Sequence, residues 1–382
     1  MIDFLTVSAK KLKDRTEIFP KFKLYPKSKD LMIRGGDFYA VWNEGKKLWS
    51  TDETDVLCMI DKELDKYADE YRELHPSEEV RILYMWDSSV NSIDAWHKYV
   101  QKQSRDSYHM LDETLIFSNT EVSKDDYASK TLSYPLKEGP IEAYDKLMST
   151  LYGEEERRKI EWAIGAIVTG DSKTIQKFLV LYGAAGTGKS TVLNIIQQLF
   201  EGYYSVFDAK ALGSSNNSFA LEAFKTNPLV AIQHDGDLSR IEDNTKLNSL
   251  VSHELMTINE KFKSTYENRF KCFLFMGTNK PVKITDGKSG LLRRLIDVHP
   301  SGRKLPVREY NKLVKQIPFE LGAIAWHCKE VYESDPGRYD NYIPTEMMGA
   351  SNDFYNFVVE SYRVFMKEGT TTLKSAWAMY KE

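Results

Sequence analysis

FLVLYGAAGTGKSTVLNIIQQLF, residues 178–200, is the stretch that decides the fold. It opens on an unbroken apolar run, Phe178–Tyr182, the signature of a short strand buried on both faces, as parallel strands are. The next eight residues, Gly183–Ser190, fit the pattern G-x-x-x-x-G-K-[ST], and an apolar helix follows. In such a loop the backbone N–H groups and the positive end of the helix surround phosphate oxygens. Glycines let the backbone come close, the lysine reaches the β and γ phosphates, and the serine hydroxyl ligates magnesium. Gly183, Ala184, Ala185, Gly186, Thr187, Gly188, Lys189, Ser190 and Thr191 are therefore expected to bind a nucleotide, with ATP and Mg2+ as the ligands. At average residue frequencies the pattern arises by chance in roughly one chain of this length per hundred, before its strand and helix are required.

Two further strands extend the reading. TNPLVAIQHDGDL predicts a core strand over Leu229–Gln233 whose first acid is Asp235. A carboxylate there holds the water shell of magnesium and orients the attacking water, so Ser190 and Asp235 are the expected metal ligands. Asp237 lies two residues further on and faces the metal only if Gly236 bends the chain. His234 is either a water-positioning residue or an ordinary hydrogen-bonded histidine at a strand end. RFKCFLFMGTNKP predicts a third strand, Cys272–Met276, ending at Asn279, whose amide is suited to sensing the γ-phosphate. Its bland alternative is a turn-forming asparagine. Arg293 and Arg294 follow, and adjacent arginines point to different sides. One completes a neighbouring subunit's ATP site with its planar fork and the other pairs locally. The slight preference for the finger falls on Arg294.

Bulk properties bound the partners. The 382 residues carry a net charge of −4, with 42% hydrophobic and 28% charged residues, which predicts a globular α/β protein without global attraction to nucleic acid. Cys58, Cys272 and Cys328 lie far apart, which argues against a zinc site or disulfide framework and for a reducing, cytoplasmic location. No apolar run is long enough to span a membrane. Residues 1–47 hold eleven Lys/Arg against six Asp/Glu, interleaved with aromatics, and RGGDFYAVWNEGKKLWS predicts a hairpin turning at Asn43-Glu44-Gly45. Nucleic-acid binding and a plain solvated sheet face both stay open there. The segment from about Asp52 to Arg105 reads as helical, and Ile160, Ala163, Ile164 and Ile167 form a buried helical stripe. Helices return after about Ser301, and TLKSAWAMYKE ends in a helical pattern with no capping residue, as though the chain continued.

GAAGTGKS, LVAIQHDGD, LVSHELMTINEKFKSTYENRF, FLFMGTNKP and GLLRRL, in that order, resemble the superfamily 3 helicases, most closely the primase-helicase type of phages and poxviruses. The resemblance covers about Tyr127 to Pro300. It implies an AAA+ P-loop ATPase core, a parallel sheet flanked by helices, at residues 176–300, preceded by a helical domain at 127–175. A mixed α+β region, residues 1–126, stands before them, and a helical segment, residues 301–382, follows, resembling at its end the start of a winged helix. The resemblance further implies a homo-hexameric ring that hydrolyses ATP at subunit interfaces and moves on single-stranded or forked DNA, generally 3′ to 5′, with replication proteins as partners. DNA contacts would come from a β-hairpin at about Leu255–Arg269. Lys261, Lys263 and Tyr266 are the candidates, since basic and aromatic residues suit phosphate pairing and base stacking. The family usually carries two consecutive acids at the acidic strand end, and here His234 stands in place of the first. A non-motor ATP-binding switch or scaffold in a replication-initiation complex is the alternative.

Overall fold

Alternation and helical periodicity divide the chain into elements, and a computed structural model shows how they assemble. It describes residues 2–350 apart from 35–37, 88–91, 104–108, 215–219, 240–242, 259–265 and 283–289, and beyond 350 it describes 352, 354, 357, 358, 361, 365 and 372–381. The chain forms two compact units, one of Met1–Ile116 with Thr120–Thr131, the other of Phe117–Asn119 with Leu132–Glu382.

The first unit holds β1 (Leu5–Lys11), β2 (Thr16–Phe22), β3 (Leu31–Arg34), β4 (Phe38–Asn43), β5 (Leu48–Ser50), α1 (Glu53–Leu74), β6 (Val80–Ile82) and α2 (Ser92–Gln103). The strands make two three-stranded sheets, β1-β2-β6 and β3-β4-β5. The β4–β5 turn is fixed by Asn43, whose side-chain oxygen accepts from the N–H groups of Gly45 and Lys46, both at 3.0 Å. This is the asparagine's usual turn chemistry. Helix α1 turns Val56, Leu57, Ile60, Leu64 and Ala68 inward, and Ile18 of β2 packs with Leu64 and Ala68. The stretch from Asp52 to Arg105 is not wholly helical: β6 lies within it and pairs parallel with β2. Three residues are too few for an alternating pattern to register.

The second unit is built on α3 (Glu142–Leu151), α4 (Glu154–Thr169), β7 (Phe178–Tyr182), α5 (Lys189–Leu199), β8 (Tyr204–Val206), α6 (Ala209–Leu212), β9 (Val230–Gln233), α7 (Thr245–Val251), β10 (Leu255–Ile258), β11 (Tyr266–Arg269), β12 (Phe273–Thr278), β13 (Leu295–Val298), α8 (Val307–Gln316), α9 (Leu321–Ser334) and α10 (Thr345–Ala350). A last described helix spans Leu373–Lys381. Five strands form one sheet in the order β13-β7-β12-β9-β8, and every neighbouring pair runs parallel. Burial on both faces explains their continuous apolar sequences; all six residues of β12 are buried. Ile160, Ala163, Ile164 and Ile167 of α4 are buried, but not as a stripe: all residues from Lys159 to Ile167 are buried, so the helix is enclosed on every side there, and Trp162 meets Tyr332 of α9 with ring centroids 5.6 Å apart.

The order of this sheet places the site. Thr278 pairs with Tyr182 and Met276 with Gln233, so β7, β12 and β9 end nearly level. The chain therefore leaves β7 into the glycine loop, β12 into Asn279 and β9 into Asp235 along one carboxyl edge. That edge of a parallel sheet is where ligands bind, at the point where successive connections leave toward opposite sides. Here β7 is that point: the chain next forms the far edge strand β8, and later crosses back to place β13 on the other flank of β7.

Candidate nucleotide-binding site

The glycine loop leaves β7 with Gly183 N–H donating to the Thr278 carbonyl at 3.2 Å, which ties it to the neighbouring strand. At its other end Gly188 caps α5 with φ of 97°, a conformation that L side chains rarely adopt. A Cβ there would also stand 2.8 Å from Leu151 Cδ1, so this position has neither the dihedral nor the space for a side chain. Helix α5 then directs its first-turn N–H groups and its positive end at the loop. Thr187 Oγ1 donates to Ala184 O at 2.8 Å and holds the loop across its width.

Lys189 is buried at this junction, 7% exposed. Its ammonium donates to Gly183 O at 2.7 Å, to Ala184 O at 2.8 Å and to Asn279 Oδ1 at 2.7 Å. Three donors meet three acceptors, so the ammonium's hydrogen-bonding capacity is filled by neutral oxygens. Burial pulls the Lys189 pKa below its usual value, against the opposing pull of the Asp235 carboxylate. Ser190, Ala184, Ala185 and Gly186 are exposed beside it. A phosphate arriving here would supply the anion that the ammonium lacks, and the loop carbonyls are what it would release.

The acidic strand end divides its residues sharply. Asp235 is exposed, and it is the carboxylate whose charge acts on Lys189. Asp237 is committed elsewhere. One carboxylate oxygen accepts from the N–H and hydroxyl of Ser239, and the other takes the Lys280 ammonium at 2.6 Å. The Lys280 hydrogen bond, then those of Ser239, hold its carboxyl well below the usual range. Nor does Gly236 serve as a hinge toward a metal: a Cβ on it would fall 2.3 Å from Met276 Sδ, and its N–H donates to Gly277 O at 2.7 Å. The glycine is there because β9 and β12 pack their ends together. Burial lowers the pKa of His234, which favours a neutral imidazole. Among the described residues no cluster of three His, Cys, Asp or Glu side chains makes a metal site. Ser190 and Asp235 are both exposed and offer oxygens of the kind Mg2+ takes, one or two from the protein with the rest from substrate phosphates and water.

Asn279 and Lys280 stand on a turn fixed by Thr278, whose hydroxyl donates to Lys280 O at 2.9 Å and accepts from Lys280 N–H at 3.1 Å. The same turn thus aims Asn279 at Lys189 and Lys280 at Asp237. The arginine pair is resolved by burial. Arg294 is 5% exposed, with Nη1 donating to Gly290 O at 2.6 Å and Nε to Ser252 Oγ at 2.8 Å, Nη2 also reaching that hydroxyl. Arg293 is exposed, its carbonyl anchored by Lys177 Nζ at 2.6 Å. The preference for Arg294 as the outward arginine is therefore corrected: its fork is consumed inside its own subunit. The hairpin expected near Leu255–Arg269 is present as antiparallel β10 and β11, with Ile258 paired to Tyr266. Lys261 and Lys263 lie outside the described residues, as does the Tyr266 side chain.

Sequence reasoning missed one wall of the cleft. Tyr310 of α8 meets Thr191 hydroxyl to hydroxyl at 2.9 Å, and Lys304, Leu305 and Leu151 line the same space of about 300 Å³. The only signal was the basic turn Ser301-Gly302-Arg303-Lys304 immediately after the last strand, and spacing alone does not fold it back onto the loop.

A family of unknown function, DUF5906, matches residues 181–294, less than a third of the chain but the portion from the end of β7 through the arginine pair. Among solved structures, the A-form apo structure of the NrS-1 C-terminal region is similar at 13% identity and a TM-score of 0.47, over 89% of this chain and 78% of that one. A second apo structure of the NrS-1 C-terminal region is similar at 12% identity and a TM-score of 0.45, over 92% and 83%. Likenesses at this level carry nothing about activity. Among the described residues no helix is long and apolar enough to cross a membrane.

Proposed function

We propose that the chain is an ATP hydrolase of phage-type DNA replication, an AAA+ ATPase of superfamily 3 type that moves on single-stranded DNA and cuts ATP between subunits of a ring, a homo-hexamer in the family it resembles. The observation that carries the reading is the 2.7 Å hydrogen bond from Lys189 Nζ to Asn279 Oδ1. It brings the phosphate-loop lysine and the amide just past the adjacent strand to one point, where a γ-phosphate would replace the contact between them. The loop amides and the α5 terminus bind the phosphates. Ser190 and Asp235 would hold Mg2+, which would supply charge neutralisation for the transferring phosphoryl group. Asp235 orients the attacking water, Asn279 holds the γ-phosphate or that water, and Arg293 reaches the neighbouring subunit's nucleotide. The β10–β11 hairpin carries the DNA contact, and the ring gathers weak contacts from several copies so that a net negative charge does not prevent binding.

One observation favours a second reading. Asp237 is locked to Ser239 and Lys280, which leaves Asp235 as the single free acid of the strand end; if that one acid does not support turnover, the chain is a switch that binds ATP. The assay that separates the readings is ATP hydrolysis with and without single-stranded DNA. A motor shows stimulation by DNA, loses most of its turnover in Lys189→Ala and Asp235→Ala, and keeps most of it in Asp237→Ala. Tight ATP binding with a slow turnover indifferent to DNA and to Asp235→Ala establishes the switch instead. An oligomer that neither responds to DNA nor separates a duplex bearing a 3′ tail rules out the motor.

A further inference from the structure

We propose that Lys304, carried on the strap after β13, is a second phosphate-binding cation within the same subunit, and that Tyr310 closes the nucleoside end of its cleft. The inference rests on the nucleotide-binding reading of the glycine loop and adds a wall to it. Three features of the cleft point to its ligand. It presents two ammonium groups, Lys189 and Lys304, and no carboxylate among its lining residues. It adds the hydroxyls of Ser190, Thr191 and Tyr310, and it is finished by the apolar surfaces of Leu151 and Leu305. A polyanion that carries an apolar ring system matches that set of groups.

Lys304 has no hydrogen bond or ion pair among the described residues, and its ammonium hangs over the glycine loop: a Cβ built on Gly186 would be 3.8 Å from Nζ. The strap that carries it is fixed. Ser301 N–H donates to Leu151 O at 2.8 Å and Ser301 Oγ to Thr150 O at 2.8 Å, while Arg303 N–H donates to Ser301 Oγ at 3.2 Å. Gly302 turns the chain with φ of 76°, and Pro300 forms an isolated bridge with Tyr152. Lys189 approaches the phosphates from inside the loop, saturated by three acceptors, and Lys304 faces them from the solvent side with its charge unspent. Tyr310 and Thr191 trade their mutual hydrogen bond for oxygens of the ligand. The consequence is a division of labour: Lys304 serves nucleotide affinity in each subunit, and the exposed Arg293 serves turnover across the interface.

The test is calorimetric titration of ATP and ADP into the full chain, with steady-state ATPase kinetics alongside. Lys304→Gln weakens both nucleotides by about tenfold, the size of one charge-assisted hydrogen bond, and raises KM with kcat at saturating ATP within about twofold. Lys304→Arg restores affinity, and Tyr310→Ala weakens ATP and ADP alike. Wild-type affinity in Lys304→Gln, or a loss confined to kcat, overturns the role of Lys304; unchanged binding in Tyr310→Ala overturns that of Tyr310. Wild type that fails to bind ATP overturns the nucleotide reading itself, whereas binding lost in Lys189→Ala and kept in Lys304→Gln overturns the strap inference alone.

Discussion

Arg293 and Arg294 are the same side chain one residue apart, and the short 3-10 turn Leu292–Arg294 sends one outward and the other into the protein. Their substitutions therefore separate two kinds of damage. Arg294→Ala leaves Ser252 Oγ and Gly290 O without their donor in a closed space and is expected to cost about 2–4 kcal/mol, since hydrogen bonds to charged groups contribute roughly 1.5–3 kcal/mol and a void is left behind. Arg293→Ala keeps the denaturation midpoint of wild type and lowers kcat by roughly a thousandfold. Urea unfolding and ATPase measured on the same two variants check this, and a stable, inactive Arg294→Ala would restore the finger role to that residue. At this scale the sequence was legible wherever a residue's task follows from its immediate neighbours. Lys189 and Gly188 belong to one loop, so the pattern of eight residues carries them. The fates of Arg294 and Asp237 depend on Ser252 and Lys280, each more than forty positions away, and local spacing holds no trace of those partners.

The elements that position the site are joined by contacts too close for ordinary side chains. Where β9 and β12 end, a Cβ on Gly277 would stand 2.6 Å from the His234 carbonyl oxygen, backbone against backbone. Gly277→Ala must push the two strands apart, at a cost of about 1–3 kcal/mol, and it moves Asp235 relative to Asn279. Both the urea midpoint and the turnover number are expected to fall; an alanine variant with wild-type values of both shows that the strand ends do not set the site. The end of β13 carries a second joint. Asp297, 1% exposed, accepts from His299 Nε2 at 2.8 Å and from Met347 N–H at 3.1 Å, while Glu346 stands 3.3 Å from His299 Nδ1 and Tyr182 lies edge-on to its ring. Burial opposes the charged imidazolium, but the Asp297 hydrogen bond and charge, with Glu346 and Glu156, raise the His299 pKa above 6.5. A raised folded pKa stabilises fully below the unfolded value and is lost as pH climbs through the folded one. Thermal stability should therefore decline as pH climbs above 6.5 by more in wild type than in His299→Gln, and equal slopes in the two proteins count against this joint. The long apolar strands were legible in the sequence because burial on both faces writes itself as an unbroken run. β6 and β8, three residues each, were not, because sheet neighbours rather than local pattern hold them extended.

For the molecule as a whole, a chain of net charge −4 gains no DNA affinity from its overall field, so contact with nucleic acid has to come from local features multiplied by assembly. In the proposed ring, the phosphate loop on the carboxyl edge of one subunit's sheet would meet the exposed Arg293 of the next. How the chain divides is less visible in linear order than how it folds, since residues 117–119 belong to the second unit and 120–131 to the first, an interleaving that composition does not announce. The ring also makes the prediction that only an assembly can fulfil. Interfaces of head-to-tail type use different surfaces of the two partners, so Lys189→Ala supplies an intact finger and Arg293→Ala an intact loop. Each variant alone is inactive. In a random one-to-one mixture about a quarter of the interfaces join an intact loop to an intact finger, and DNA-stimulated ATPase should recover toward about that fraction of wild type. Differently tagged subunits show by co-purification that mixed assemblies form. If they form and no activity returns, Arg293 does not act across the interface; if activity returns, the loop of one subunit and the arginine of the next share one catalytic centre, and hydrolysis is a property of the ring rather than of the chain.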